Sequence, residues 1–210
     1  MDLMALEDWL EAAPSQHEAE FREAMRSVLI TVGRSEVLRN LMALKGGILF
    51  ALRFGGRRNT KDVDFSTATL RPDFDIDQFL AVLGESLANN TASLDTDIDC
   101  RIQGYEIRPA RIDASFPTIR VRIGYARRGT LQHKRLREKR SPSVIKLECS
   151  MNEEAIDQGP VILVKGTELP SENPGLADHQ ITRQVTRDRQ AVDPRSGDPR
   201  MLGGRLPDAG

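Results

Sequence analysis

The sequence predicts an α+β fold in which helices flank a mixed β-sheet, and two kinds of periodicity carry that prediction. In residues 118–125 and 143–150 apolar and polar side chains alternate, as they do in strands with one buried face. A helix is expected to open at Pro72–Asp73 and to end at Asn89–Asn90. Its apolar stripe consists of Ile76, Phe79, Leu80, Leu83 and Leu87. The chain therefore contains both helical and extended segments, which we expect to pack around one sheet.

The N-terminal part of the chain predicts two packing helices. Ser15 and Glu18 form a Ser-x-x-Glu capping box, which favours a helix that begins just after Ser15. Apolar residues then follow at helical spacing until Gly33 interrupts the pattern, and Ser35 is placed to cap a second, shorter helix. The pattern indicates ordinary packing against a core, and we assign these helices no chemistry.

A strand, a diglycine, a helix and another strand are expected to follow one another in the central part of the sequence. Residues 42–44 predict a short buried strand that leads into a Lys-Gly-Gly sequence at 45–47. The apolar run 48–54 suits about two turns of buried helix. Residues 61–66 then predict a strand that contains an Asp-x-Asp sequence. The two short motifs are thus separated by a single predicted helix and the turn after it.

Length and composition allow one domain with a hydrophobic core and a C-terminal tail. The 210 residues carry a formal net charge of −1. From Pro174 onward proline and glycine accumulate and apolar residues lose their period, so this segment buries too little surface to offset its ordering entropy. We therefore expect a domain over residues 1–165 and a poorly ordered, truncated or frameshifted tail over residues 166–210.

Several classes of protein are disfavoured by the same sequence. The two cysteines, Cys100 and Cys149, are isolated, so neither a disulfide framework nor a cysteine-based zinc site is expected. The acidic start of the chain is unlike a signal peptide, and no apolar run approaches the length that spans a membrane. Walker and dinucleotide-binding motifs are lacking, which argues against a P-loop NTPase or a Rossmann dehydrogenase. We expect a cytoplasmic protein without a membrane partner.

Basic residues are concentrated in one part of the chain, although the chain as a whole is nearly neutral. Residues 101–146 contain 13 Lys and Arg and only three acids, and residues 127–140 within them are expected to form a basic loop. Such a block is typical of a surface that binds a nucleic acid or a triphosphate. A solvated face of strands and loops explains the charge equally well, so both interpretations stay open.

The Lys-Gly-Gly and Asp-x-Asp sequences together indicate a site for a nucleotide and a metal ion. At Gly46 and Gly47 no side chain hinders the approach of a phosphate to backbone amides. Asp62 and Asp64 lie on one face of their predicted strand because side chains alternate along it. Paired carboxylates are suitable ligands for Mg²⁺ that carries nucleotide phosphates. Glu148, on a later strand, is a candidate third carboxylate.

Over about residues 15–165 the sequence resembles the AbiEii/AbiGii toxin family of the polymerase-β-like nucleotidyltransferase superfamily. The likeness is most specific in Leu44–Gly47 and in Arg58–Phe65, with the apolar helix 48–54 between them. It implies that the mixed sheet and its helices form a nucleotidyltransferase core. It also implies an enzyme similar to those of bacterial abortive-infection and toxin–antitoxin systems.

The resemblance assigns a role to several residues of this chain. The residues that would contact the triphosphate through their backbone are Gly46 and Gly47. The carboxylates that would hold Mg²⁺ and carry the catalysis are Asp62, Asp64 and Glu148. The nearby cations that would bind the nucleotide and stabilise the departing pyrophosphate are Lys45, Arg58 and Lys146. These residues are the predicted active site.

Two features of the chain depart from the family pattern. Many members have a hydroxyl residue after the diglycine, whereas this chain has Ile48. The family usually continues into a helical half, and nothing after Pro174 matches that half. In addition, Glu153 and Glu154 lie close to Glu148 and are alternatives for the role of third carboxylate.

The expected activity is Mg²⁺-dependent transfer of a nucleotidyl group from a nucleoside triphosphate to a hydroxyl group. The residues leave the acceptor open between tRNA, another RNA and a protein hydroxyl, and the partner implied by the resemblance is a cognate antitoxin protein. Two alternatives stay open. One is a truncated, catalytically inactive remnant of the same fold, and the other is a nucleic-acid-binding module that uses the basic block of residues 101–146.

Overall fold

A computed structural model of the chain describes residues 6–54, 62–94, 96–111, 113–153, 161–164 and 167–169. Its first elements are the helices α1 (Leu6–Glu11), α2 (Gln16–Arg34) and α3 (Glu36–Leu41), strand β1 (Ala43–Lys45) and helix α4 (Gly46–Phe54). Strand β2 (Asp62–Ser66) and helix α5 (Ile76–Ser93) come next. The remaining elements are β3 (Ile98–Arg108), β4 (Thr118–Arg127), α6 (Leu131–Arg137), β5 (Val144–Ser150), β6 (Val161–Val164) and β7 (Thr167–Leu169).

Five of the strands form one sheet in the order β1-β2-β5-β4-β3. Strands β2 and β5 run parallel, and the other neighbouring strands of this sheet run antiparallel. Strands β6 and β7 form a separate antiparallel pair. The predicted α+β class, with a mixed sheet and flanking helices, is thereby confirmed.

The two faces of the five-stranded sheet differ in chemistry because side chains alternate along each strand. One face is apolar and contacts α2 and α5 in the hydrophobic core. Its central members are Val63, Phe65, Ile119, Val121, Ile145 and Leu147, all fully buried. The opposite side, which we call the polar face, carries Asp62, Asp64, Arg120, Arg122, Lys146 and Glu148. The alternation therefore places the charged residues of three adjacent strands on one face of the sheet.

The two predicted N-terminal helices are present and capped as expected. The side chain of Ser15 accepts a hydrogen bond from the backbone N–H of Glu18 at 3.2 Å, and α2 begins at Gln16, directly after this cap. Ser35 caps α3 by accepting from the backbone N–H of Leu38 at 3.4 Å. Gly33 does not end α2, because the residue is buried against the core and the helix continues to Arg34.

Helix α5 differs from the prediction at both ends. It begins after Asp75, whose side chain accepts a backbone N–H of the first turn and so acts as the cap. The predicted end at the asparagine pair was wrong, since the helix continues to Ser93. Asn90 is buried there, donates to Thr31 Oγ1 at 3.1 Å and accepts from Arg34 Nη1 at 3.2 Å. Contacts with α2 therefore keep Asn90 within the helix, although asparagine often ends one.

The basic segment between β4 and β5 was predicted to be a loop, but it contains helix α6. Thr130 caps this helix by accepting from the backbone N–H of His133 at 3.2 Å. Leu136 is fully buried over Gly124 of β4, where a Cβ atom would come within 2.9 Å of Leu136 Cδ1. His133 Nε2 lies 3.0 Å from Asp99 Oδ2 on β3. Only two apolar residues, Leu131 and Leu136, occur in this basic segment, and they gave no helical periodicity from which α6 could be predicted.

Two predictions concern residues that the structure describes only in part or not at all. The tail predicted for residues 166–210 lies outside the described residues, except that β7 occupies 167–169. Arg58 also lies outside them. Of the helices that the structure describes, none has both the length and the apolar character needed to cross a membrane.

Candidate active site

The Asp-x-Asp sequence occupies β2, beside the parallel strand β5. The strand register pairs Asp64 with Glu148 and Asp62 with Lys146. The residues between them on β2 and β5, such as Val63 and Leu147, point into the core. The three carboxylates predicted from the sequence therefore lie on the polar face, on two adjacent strands.

The pKa of Asp64 is raised above its ordinary value of 3.8. Burial is the largest cause, and the charges of Glu148 and Asp62 raise the pKa further. The Lys45 ammonium group and a hydrogen bond donated by the Gly47 backbone N–H lower it, but they do not cancel the rise. The three carboxylates are thus close enough to repel one another. Carboxylates that bind the same cation are also this close together.

The diglycine lies against Asp64, which the sequence did not indicate. The chain turns from β1 into α4 at Gly46, where φ is 73°. A Cβ atom at Gly46 would lie 2.2 Å from Asp64 Oδ2, so only glycine leaves room for this carboxylate. The backbone N–H of Gly47 donates a hydrogen bond to the same side chain. The diglycine therefore fixes Asp64 in place, in addition to the phosphate contact expected for it.

Lys45 lies next to the carboxylates but is already engaged by other residues. Its strand position pairs with Asp64 in the register of β1 and β2. Its ammonium group forms an ion pair with Glu153 and donates to Ser150 Oγ at 3.2 Å. Glu153, an alternative third carboxylate on sequence grounds, is thus a partner of Lys45, and Glu154 lies outside the described residues.

Lys146 is the second of the predicted site cations that the structure describes. Its Nζ atom lies 3.5 Å from Asp62 Oδ1, and half of its side chain is exposed to solvent. Lys146 and Lys45 therefore stand on opposite sides of the carboxylate group, one by Asp62 and one by Asp64. This arrangement leaves positive charge within reach of a phosphate chain bound at the carboxylates.

Arg120 on β4 is a site residue that the sequence reasoning missed. Its Nε atom donates to Glu148 Oε1 at 2.6 Å, and its Nη1 atom donates to Glu106 Oε1 at 3.2 Å. Alternation in residues 118–125 already placed Arg120 on the polar side of its strand. The pairing of β4 with β5, which brings it to Glu148, is a long-range contact that no local pattern reveals.

The carboxylate group fits a divalent cation by the chemistry of its oxygen donors. Mg²⁺ prefers one or two carboxylates together with phosphate oxygens and water. Asp62 and Asp64, on one strand, would supply the two carboxylates. As the side chains stand, residues 6–54, 62–94, 96–111 and 113–153 contain no group of three His, Cys, Asp or Glu residues arranged to hold a metal ion. The assignment of Asp62, Asp64 and Glu148 as a three-carboxylate metal site stays a prediction.

The raised pKa of Asp64 predicts a pH dependence of stability. Asp64 holds its proton more tightly in the folded than in the unfolded chain, so its contribution to the free energy of unfolding decreases as the pH rises from 3.8 through the raised pKa. We expect Asp64→Asn to remove this decrease, so that the variant gains stability relative to wild type on going to neutral pH. Urea unfolding at a series of pH values measures the difference, with the exposed Asp113→Asn as a control. A difference that does not change with pH would contradict the prediction.

Comparison with known proteins gives a family match and two similar structures. The family model described as nucleotidyl transferase AbiEii toxin, type IV TA system, matches residues 33–170. A crystal structure from H. pylori, assigned provisionally as a nucleotidyltransferase, is 17% identical, with 75% of this chain and 55% of that chain covered and a TM-score of 0.41. JHP933 from Helicobacter pylori is 18% identical, with 75% and 53% covered and a TM-score of 0.43. No curated protein is similar enough to this chain to count as a match.

The family match and the two similar structures differ in how much of each protein they cover. The family match spans more than half of the chain and includes every predicted site residue. The chain itself spans about half the length of the two solved structures, since it covers 55% and 53% of them. The family match itself covers the region that contains the polar face.

Proposed function

Because the chain belongs to the AbiEii nucleotidyltransferase toxin family of type IV toxin–antitoxin systems, we propose that it transfers a nucleotidyl group from a nucleoside triphosphate to a hydroxyl group of an RNA or a protein. The observation that carries the proposal is the position of Asp62 and Asp64 beside Glu148 on the polar face. The pKa of Asp64 is raised first by burial and then by the charges of Glu148 and Asp62, and this repulsion supports the proposal because a bound cation would relieve it.

Asp62 and Asp64 are the residues that would hold Mg²⁺, with Glu148 as a third carboxylate beside them. When bound, the cation neutralises the triphosphate and favours attack at the α-phosphorus. Gly46 leaves room for Asp64, and the Gly47 N–H keeps that carboxylate oriented toward the site. These residues therefore prepare the geometry before the substrates meet.

The transfer step follows from the charges around the carboxylates. The acceptor oxygen forms a bond to the α-phosphorus as the bond from the α-phosphorus to the bridging oxygen breaks, and pyrophosphate leaves with that electron pair. Glu148, directly or through a water, takes the proton of the acceptor hydroxyl. Lys45 and Lys146 stabilise the negative charge on the departing pyrophosphate.

Two partners belong to the proposal. The family description implies a cognate antitoxin protein, and the basic residues of α6 and its neighbouring strands favour RNA, such as tRNA, as the acceptor. A cytoplasmic location is part of the same proposal, because an enzyme that acts on cellular RNA must meet it there. Co-expression with a neighbouring antitoxin candidate should then restore growth to cells that express the chain.

A transfer assay tests the proposal. The protein is incubated with each of the four nucleoside triphosphates, labelled at the α-phosphate, together with total RNA and protein acceptors, in Mg²⁺ or in excess chelator. We expect label on a macromolecule in Mg²⁺ only, and no transfer from a γ-labelled nucleotide. Absence of transfer with every nucleotide would overturn the proposal. Mg²⁺-dependent nucleotide binding would then favour an inactive remnant, and RNA binding without nucleotide binding a nucleic-acid-binding module.

A further inference from the structure

One row of charged side chains crosses all five strands on the polar face. The strand register joins its members in the order Lys45, Asp64, Glu148, Arg120 and Glu106. The signs of the charges alternate along the row except where Asp64 and Glu148 stand side by side. Arg120 is therefore the neighbour of Glu148 on the side away from Asp64.

Arg120 is held by carboxylates on two sides. Its Nε atom donates to Glu148 Oε1 at 2.6 Å and its Nη1 atom to Glu106 Oε1 at 3.2 Å. Arg108 Nη2 donates to the other oxygen of Glu106 at 2.9 Å, so this second anchor is itself fixed. A planar guanidinium bound at two edges has little freedom to rotate.

We propose that Arg120 is a positioning residue that holds the Glu148 carboxylate beside Asp62 and Asp64, an inference that rests on the proposed function of this site. The ion pair uses Oε1 of Glu148. The side chains of Arg120 and Glu148 are only 26% and 24% exposed, so solvent screens this pair less than a surface pair. Partners that orient a ligating group typically change metal affinity about 10- to 100-fold.

Arg120 has two effects on a cation at the site, and they have opposite signs. Its positive charge repels the cation, whereas its orientation of Glu148 favours binding. Arg120→Lys separates the two effects, because lysine keeps the charge but has no planar group to bridge Glu148 and Glu106. Arg122→Lys is the matched control, since Arg122 lies on the same face of the same strand and pairs with Lys146 in the register.

Binding of Mn²⁺ to the nucleotide-free protein, followed by the electron paramagnetic resonance signal of free Mn²⁺, tests the proposal. We expect Arg120→Lys to weaken binding about tenfold. Arg122→Lys should stay within about twofold of wild type, because the net charge of the polar face is the same in both variants. Thermal unfolding of each variant establishes that the fold is retained.

The outcomes separate this inference from the proposed function. If Asp64→Asn weakens Mn²⁺ binding but Arg120→Lys binds as wild type does, the carboxylate site stands and the positioning role is wrong. Tighter binding by Arg120→Lys would also overturn it, because Arg120 would then compete with the cation for Glu148. If wild type binds Mn²⁺ no better than Asp64→Asn does, the proposed metal site falls and the positioning role falls with it.

Discussion

Replacement of Asp64 by asparagine is expected to reduce nucleotidyl transfer at least about a thousandfold while the fold is retained. A metal-bound carboxylate supports several kcal/mol of transition-state stabilisation, and each 1.4 kcal/mol corresponds to about tenfold in rate. Asparagine keeps the shape of the side chain and an oxygen that accepts the hydrogen bond from the Gly47 N–H. The variant therefore removes the charge while it preserves the local contacts. Transfer from the α-labelled nucleotide that wild type uses measures the effect.

The stability of the same variant is a control on this interpretation. Because the pKa of Asp64 is raised by burial, Glu148 and Asp62, removal of its charge should leave the melting temperature at neutral pH unchanged or higher. Asp113→Asn changes the same side chain at an exposed position and should leave transfer unaffected. If Asp64→Asn transferred as fast as wild type, the carboxylate would have no part in the reaction.

Gly46→Ala is expected to cause a large loss of stability at the turn from β1 into α4. The left-handed backbone at φ 73° costs about 1–2 kcal/mol for a residue with a Cβ atom. The added methyl group would lie 2.2 Å from Asp64 Oδ2, so either the carboxylate or the turn from β1 into α4 must move. Transfer should therefore fall together with the free energy of unfolding, which urea denaturation measures.

Two other glycines separate the causes of that loss. Gly129 also has a positive φ of 78°, but nothing lies within 4 Å of a Cβ atom there, so Gly129→Ala should cost the backbone strain alone. Gly84 lies inside α5, with Ile102 Cδ1 at an ordinary 3.6 Å, so Gly84→Ala should stabilise by about 0.5–1 kcal/mol. If Gly46→Ala cost no more than Gly129→Ala, the close approach to Asp64 would have no energetic consequence.

Local periodicity predicted much of the fold because it depends on neighbours in the chain. Alternation identified β4 and β5, and the capping residues Ser15 and Ser35 identified the starts of two helices. The same patterns misjudged segments that are stabilised by distant residues. Asn90 remains inside α5 because α2 supplies its hydrogen-bond partners. Helix α6 forms where Leu136 packs over Gly124 of β4.

For the candidate site the sequence by itself determined which residue types were present and which of them share a face. The period of two in β2 puts Asp62 and Asp64 on one side of the strand whatever its neighbours are. Only the tertiary structure decided that β5 lies parallel to β2 and brings Glu148 opposite Asp64, and that β4 adds Arg120. Strand order and register depend on how the whole apolar face packs against the helices, and this is a property of distant contacts that no single segment encodes.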